Sequence, residues 1–246
     1  PGGCLPLPWT NAMKQQIQPG PSREGLRLFA ACIMLLDHTG VAFFPHALWL
    51  RCAGRLAFPI FAFFLAEGFG HTASRRRYLL RLLLFALLPE LPFDRMNGDT
   101  WTDWSRQNVL WTLALGLCAM TCVGRAPRET GWQSLLWLFG AAGCCLTAEL
   151  LHTDYGAFGV LLCLLFYCTI GQRGRFWLCG GIFLLLCFGL EFVPLPGTFL
   201  PMEAFGVLAF PLLSAYRGRQ WRRRPLGKHG FYWFYPLHML ILGLLS

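Results

Sequence analysis

Nine apolar stretches separated by short polar connections dominate the sequence, at roughly residues 25–44, 48–70, 78–93, 107–123, 132–151, 155–171, 175–193, 199–216 and 230–245. Their Leu/Phe/Ala blocks lack the apolar/polar alternation of a membrane β-strand. They have the length at which a helix spans a hydrocarbon core of about 30 Å. Lipid offers the backbone no hydrogen-bond partners, so a helix that satisfies its own is the natural form. The pattern predicts an all-α polytopic integral membrane protein, a bundle of about nine transmembrane helices. Two stretches are weak: 78–93 is short and closes on Pro89 and Pro92, and 199–216 is interrupted by Pro201 and Pro211.

Residues 1–22 are rich in Pro, Gly and Gln and carry no apolar run, so they read as a mobile tail before a membrane domain over 23–246. No charged start followed by an apolar core is visible in them, so the first membrane helix is expected to direct insertion. No internal repeat and no second, soluble domain is expected.

Composition agrees with the pattern. Of 246 residues 55% are hydrophobic and 13% charged, and the mean hydropathy is +0.48, against about 25% charged in soluble domains. The net charge of +9 sits in alternate connections: Arg75–Arg77, then Arg125 and Arg128, then Arg173 and Arg175, then Arg217, Arg219, Arg222–Arg224 and Lys228. The connection 94–106 instead holds Asp94, Asp99 and Asp103. The positive-inside rule places the basic connections in the cytoplasm, together with the tail bearing Lys14 and Arg23, and nine spans put the C-terminus outside. The expected location is the inner (cytoplasmic) membrane. Charge set by topology gives no reason to expect a nucleic-acid partner; the lipid bilayer is the expected one. Seven of the 11 cysteines lie inside apolar runs as small hydrophobes, and no CxxC or Cys/His spacing supports zinc or a disulfide framework.

The ionisable residues within the stretches are Asp37, His38, Arg51, Arg55, Glu67, Arg81, Glu90, Glu149, His152, Glu191, Glu203 and His238. Such residues are costly in lipid and mark cavities, ion pairs or chemistry. Glu191, Glu203 and His152 lie near span ends, where reaching the interface explains them. Asp37 and His38 lie near mid-span, where a histidine suits proton transfer. Neighbouring helical residues diverge by about 100°, so the partner expected for Asp37 is an arginine of the second span rather than His38. Arg51 and Arg55 share a face and need anions, from Asp37, Glu90, Glu149 or a ligand, and Pro59 is expected to kink their helix. Arg81 and Glu67 are a further candidate pair. Arg27, Ala31, Met34 and His38, at steps of four, three and four, fall on one helical face. Arg27 is then either the inner end of a helix or an anion site below His38.

From Asp37-His38-Thr39-Gly40 onward the chain resembles the TraX family. The resemblance is carried by Gly54-Arg55-Leu56-Ala57-Phe58-Pro59, Leu65-Ala66-Glu67-Gly68-Phe69, Tyr78-Leu79-Leu80-Arg81-Leu82 and Glu90-Leu91-Pro92-Phe93-Asp94. Gln107-Asn108-Val109-Leu110, Asp154-Tyr155-Gly156-Ala157 and Phe234-Tyr235-Pro236-Leu237-His238 extend it, over about residues 24–245. It implies a membrane acetyltransferase, since the family is named for a conjugative-pilus system whose member acetylates the pilin N-terminus. It is similar to a wider group of transmembrane acyltransferases in which an Arg and a His of the first helix recur, matching Arg27 and His38. The acceptor stays open between a pilin N-terminus and another envelope or small-molecule substrate.

The resemblance further implies an acetyl-CoA co-substrate entering from the cytoplasm, with Arg27, Arg51, Arg81 and Arg75 as its contacts. His38 would be the general base and His238 a second candidate. Arg55, Arg51 or Asn108 would stabilise the oxyanion; Asp37 and Glu90 would hold the arginines; Glu67 and Asp154 would be supporting ion-pair residues. Direct transfer and an acyl-histidine are both open. The competing readings are a proton-coupled transporter or flippase using Asp37, His38, Glu67 and Glu149, and a non-catalytic assembly partner.

Overall fold

The computed structural model describes residues 20–98, 101–189, 195–197, 199–216 and 230–246. Most of the tail, with Lys14, lies outside the described residues. So do Asp99, Glu191 and the basic residues of 217–229.

The chain forms α1 (Arg23–Phe43), α2 (Leu48–Gly54), α3 (Ala57–His71), α4 (Arg75–Leu87), α5 (Glu90–Asn97), α6 (Val109–Arg125), α7 (Trp132–Leu150), α8 (Gly156–Thr169) and α9 (Arg173–Gly189). A 3-10 helix (Met202–Leu208) then runs into α10 (Ala209–Ala215), and α11 (Gly230–Leu245) ends the chain. No strand is formed among the described residues. Ser22, Ser74 and Asn108 start α1, α4 and α6 as N-caps, their side chains accepting from the N–H groups of Gly25, Arg77 and Leu110.

Prolines cut the apolar pattern into these pieces. A proline ring collides with the carbonyl four residues back, which for Pro59 is that of Arg55. The expected kink is therefore a break: α2 ends at Gly54, and α3 starts at Ala57 with Pro59 in its first turn, where no N–H is needed. In the same way Pro89 divides 78–93 into α4 and α5, and Pro211 sits in the first turn of α10 after the 3-10 segment. Among the described residues four helical segments are long and apolar enough to cross a membrane: Arg23–Phe43, Leu48–His71, Val109–Arg128 and Trp132–Leu150. Four more are apolar but shorter: Gly156–Thr169, Gly174–Gly189, Met202–Ala215 and Gly230–Leu245. Of the about nine spans expected, four are thus matched by helices of spanning length among the described residues, packed with shorter apolar helices.

The segments alternate between two ends of the bundle. At one end Arg23 pairs with Glu67 (3.3 Å), Tyr216 donates to Glu67 (2.8 Å), Arg75 lies over Phe69 and Phe69 packs edge-on to Tyr167. Arg75 and Arg128, both acting on Tyr167, lie at this end, whereas Arg106 lies at the other. At the opposite end a backbone bridge joins Gln107 to Thr153, and Asn108 donates to the Ala86 carbonyl. α3 is the most enclosed helix and α7 the least, with only Ala141 and Ala148 buried. Phe63, Phe158, Phe166, Phe183 and Phe210 fill the centre between α3, α8, α9 and α10. Small residues set the closest approach: a Cβ on Gly159 would stand 2.5 Å from Thr112 Cγ2 across the α6–α8 contact.

Candidate active site

A cavity of about 400 Å³ runs along the inward face of α1. Arg27, Ala31, Met34 and His38 all line it, the face that their spacing predicts. α1 is unbroken, so the eleven-residue step from Arg27 to His38 spans about 16 Å of helix.

The arginine end forms one mouth. Arg27 rests over the Phe64 and Phe231 rings (5.3 and 5.9 Å), and Arg81 over Tyr78 (5.6 Å). Neither forms an ion pair among the described residues. The expected Arg81–Glu67 pair is not made: the last turn of α3 lies against the start of α1, so Glu67 takes Arg23, while Arg81 stacks on its own preceding turn. Arg75 sits on Phe69 (4.3 Å) and does not line the cavity.

Deeper in, a charged cluster crosses the bundle. Asp37 of α1 faces Arg51 (3.4 Å) and Arg55 (3.7 Å), and Arg55 also faces Glu203 (3.9 Å) and donates to the Tyr155 hydroxyl (3.2 Å). Both arginines thus reach the partner expected on α1. The helix break after Gly54 frees Arg55 to turn inward, where it is 9% exposed, and its Nε has no hydrogen-bond partner among the described residues. Gly54 is required at this crossing, because a Cβ there would lie 2.3 Å from that of Asp37. Glu203, expected at the interface, is buried against Arg55 instead: the 3-10 segment carries it inward from the span end. Two cations meet two anions, and the cluster is balanced.

His38 and His238 meet, 200 residues apart in sequence. His38 Nδ1 lies 2.7 Å from His238 Nε2, and the two rings are parallel to within 3°. His238 Nδ1 lies 2.7 Å from the Phe234 carbonyl, four residues back in α11. A carbonyl only accepts, so Nδ1 of His238 carries its proton and Nε2 of the neutral ring is the acceptor. His38 then donates from Nδ1, which leaves Nε2 of His38 with a free lone pair. The two histidines are one unit, in which α11 fixes the tautomer of the α1 histidine.

Asn108 and Glu90 serve elsewhere. Asn108 is fully buried, caps α6 and donates to the Ala86 carbonyl (2.7 Å) and to Glu90 (2.5 Å); Trp111 also donates to Glu90 (2.5 Å). These bonds tie α4 and α5 to α6 and leave Asn108 no amide proton for an oxyanion. Glu90 holds Asn108 and Trp111 rather than an arginine, because Pro89 turns its helix away from the cluster. Glu149 accepts from the Ala157 N–H (2.7 Å) at the start of α8.

Asp154 and Tyr155 stand on a constrained turn. His152 and Tyr155 have left-handed backbones (φ 48° and 65°), each costing about 1–3 kcal/mol, as is common at functional sites. The Gln107–Thr153 bridge and a hydrogen bond from the Thr112 hydroxyl to the Asp154 carbonyl hold the turn. The Asp154 carboxylate has no hydrogen bond or ion pair among the described residues. Among those residues no group of three or more His, Cys, Asp or Glu is arranged to hold a metal ion. Sequence reasoning underrated Glu203 and left Tyr155 without a role; the Asp154-Tyr155-Gly156 motif was the available signal for the latter.

Comparison with known proteins accounts for the arrangement at the level of family. A Dichelobacter nodosus protein described as a probable fimbrial assembly protein FimC, serogroup H1, is 31% identical over 233 residues, covering 88% of this chain and 92% of its own. No solved structure matches. The family model described as TraX protein matches residues 22–246, thus taking in all of the cavity and cluster described above, and the chain belongs to the TraX family.

Proposed function

We propose that the protein is a membrane-embedded acetyltransferase that moves an acetyl group from acetyl-CoA to an amine or hydroxyl of an acceptor. One observation carries the reading: a single cavity has Arg27 and Arg81, without carboxylate partners among the described residues, at one mouth and His38, hydrogen-bonded to His238, in its wall farther along α1. A long anionic cofactor with a reactive group at its far end fits that layout. The positive-inside rule puts the arginine end in the cytoplasm of the inner membrane, on the side that holds acetyl-CoA.

Acetyl-CoA supplies the activated thioester. Arg27 and Arg81, resting on aromatic rings, keep their N–H groups available for its phosphates. Nε2 of His38 takes the proton of the acceptor N–H or O–H as the bond to the acetyl carbon forms. General-base assistance of this kind contributes about 10²–10⁴-fold. Arg55, with its uncommitted Nε, steadies the oxyanion together with Arg51, a contribution of about 10²–10³ per donor. As the carbon–sulfur bond breaks, the proton on His38 passes to the departing sulfur. Asp37 and Glu203 hold the two arginines in place.

The fimbrial-assembly description of the Dichelobacter relative directs the acceptor search to fimbrial and other envelope proteins. Asp37, Glu67 and Glu149 lie in three separate networks, which weighs against the proton relay of a transporter. The test uses purified protein in nanodiscs with acetyl-labelled acetyl-CoA. The parent releases free thiol and His38→Ala does not, while melting like the parent; Arg27→Ala raises the KM for acetyl-CoA at least tenfold with kcat kept. Equal turnover by His38→Ala, or no acetyl-CoA binding by the parent, would overturn the assignment.

A further inference from the structure

A second cavity, of about 270 Å³, lies at the end of the bundle away from Arg27 and Arg81. Ser105, Arg106, Gln107, Glu149 and His152 line it, and it shares Phe93, Asp154 and Tyr155 with the first. The two spaces are therefore separated only by the strained turn 152–155 and one phenylalanine.

Arg51 and Arg55 are balanced by Asp37 and Glu203, and Arg23 by Glu67. Among the described residues Arg27 and Arg81 remain at the first mouth without an ion-pair partner, and Asp154 is a third carboxylate near the two paired arginines, placed between the cavities. Asp154 lines both cavities; Arg55, Arg51 and Arg106 act on it from a distance, and no described side chain stands within ion-pair distance of it. The turn that presents it is strained at His152 and Tyr155 and held by backbone and threonine hydrogen bonds. Its position is therefore imposed by the fold rather than found by a relaxed loop.

We propose that the second cavity is the acceptor's entrance, and that Asp154 binds the ammonium group of a primary-amine acceptor and places it beside the His38 pair. The assignment rests on the acetyltransferase reading for its purpose but not for its test. In the reaction the ammonium gives up one proton to bulk solvent through the second cavity, and the neutral amine then attacks as described. The two substrates would enter from opposite ends, so neither blocks the other.

The probe is the tripeptide Ala-Ala-Ala amide, titrated without acetyl-CoA into the full chain in nanodiscs, beside the same peptide with an acetylated N-terminus. The free-amine peptide is expected to bind the parent and the acetylated one not to. Asp154→Asn weakens binding at least tenfold. Ser105→Trp, which fills the second cavity without touching the first, does the same and covers the case in which Asp154→Asn fails to fold. Equal binding by parent and Ser105→Trp, or by both peptides, overturns the proposal, as does no binding to the parent at millimolar peptide. Binding with the expected pattern but no acetyl transfer would overturn the enzymatic reading and leave the amine site standing.

Discussion

His238 is the residue whose removal separates a base from the group that positions it. In His238→Ala the Nδ1–H of His38 loses its acceptor at 2.7 Å, and nothing then favours the tautomer with Nε2 unprotonated. A hydrogen bond of this kind is worth about 0.5–1.5 kcal/mol net, or roughly a threefold to tenfold drop in the active tautomer at 1.36 kcal/mol per factor of ten. Freed rotation of the ring adds a similar loss of orientation, so kcat is expected to fall about 10- to 100-fold. His38→Ala, which removes the base itself, costs about 10²–10⁴-fold. The KM for acetyl-CoA should not move in His238→Ala, because the cavity mouth is formed by other residues. His238→Gln, whose amide oxygen accepts from Nδ1–H, should recover part of the rate lost in His238→Ala. The assay is release of coenzyme A thiol under saturating acetyl-CoA, with thermal melts showing that each variant is folded. A larger kcat loss in His238→Ala than in His38→Ala would exchange the two roles. No recovery by Gln, with normal melting, would refute the tautomer argument.

Three further outcomes rest on particular contacts. Gly54→Ala drives a methyl to 2.3 Å from Asp37 Cβ, where carbon contacts prefer about 3.5–4.0 Å; α1 and α2 must part, with a stability loss of about 1–3 kcal/mol and a lower kcat, read by melting and turnover. Asn108→Ala removes a buried N-cap and leaves the Ala86 carbonyl without its donor, costing about 1–3 kcal/mol in melting with the KM for acetyl-CoA kept. Burial pushes the Asp154 carboxyl up to about 6, against the pull of Arg55 and Arg51, with Asp37 raising it and Arg106 lowering it. Asp154 is thus charged above that pH and neutral below it. Amine-peptide binding should hold at pH 7–8 and weaken as the pH falls through about 6. A flat profile between pH 5 and 8 in the parent, where Glu149 and His152 also line the cavity, would show that Asp154 does not bind the amine.

Much of the architecture was written in local sequence. Apolar length dictated the helices, because bilayer thickness and backbone hydrogen bonding act on each segment alone. The periodicity of Arg27, Ala31, Met34 and His38 likewise gave the cavity-lining face of α1, and helical geometry sent Asp37 to an arginine rather than to His38. What local pattern left undecided depends on which segments meet. Pro59 marked a disturbed helix, but only packing against α1 and the 3-10 segment shows the break delivering Arg55 to both Asp37 and Glu203. Arg81 was the arginine expected for Glu67, and the neighbouring helix end gave it Arg23 instead. Asn108 looked like a catalytic amide until its cap and the Ala86 carbonyl accounted for its hydrogen bonds. The histidine pair joins residues 200 positions apart, and no helical period relates such positions. Tertiary structure alone could bring the two candidate bases together as one hydrogen-bonded pair.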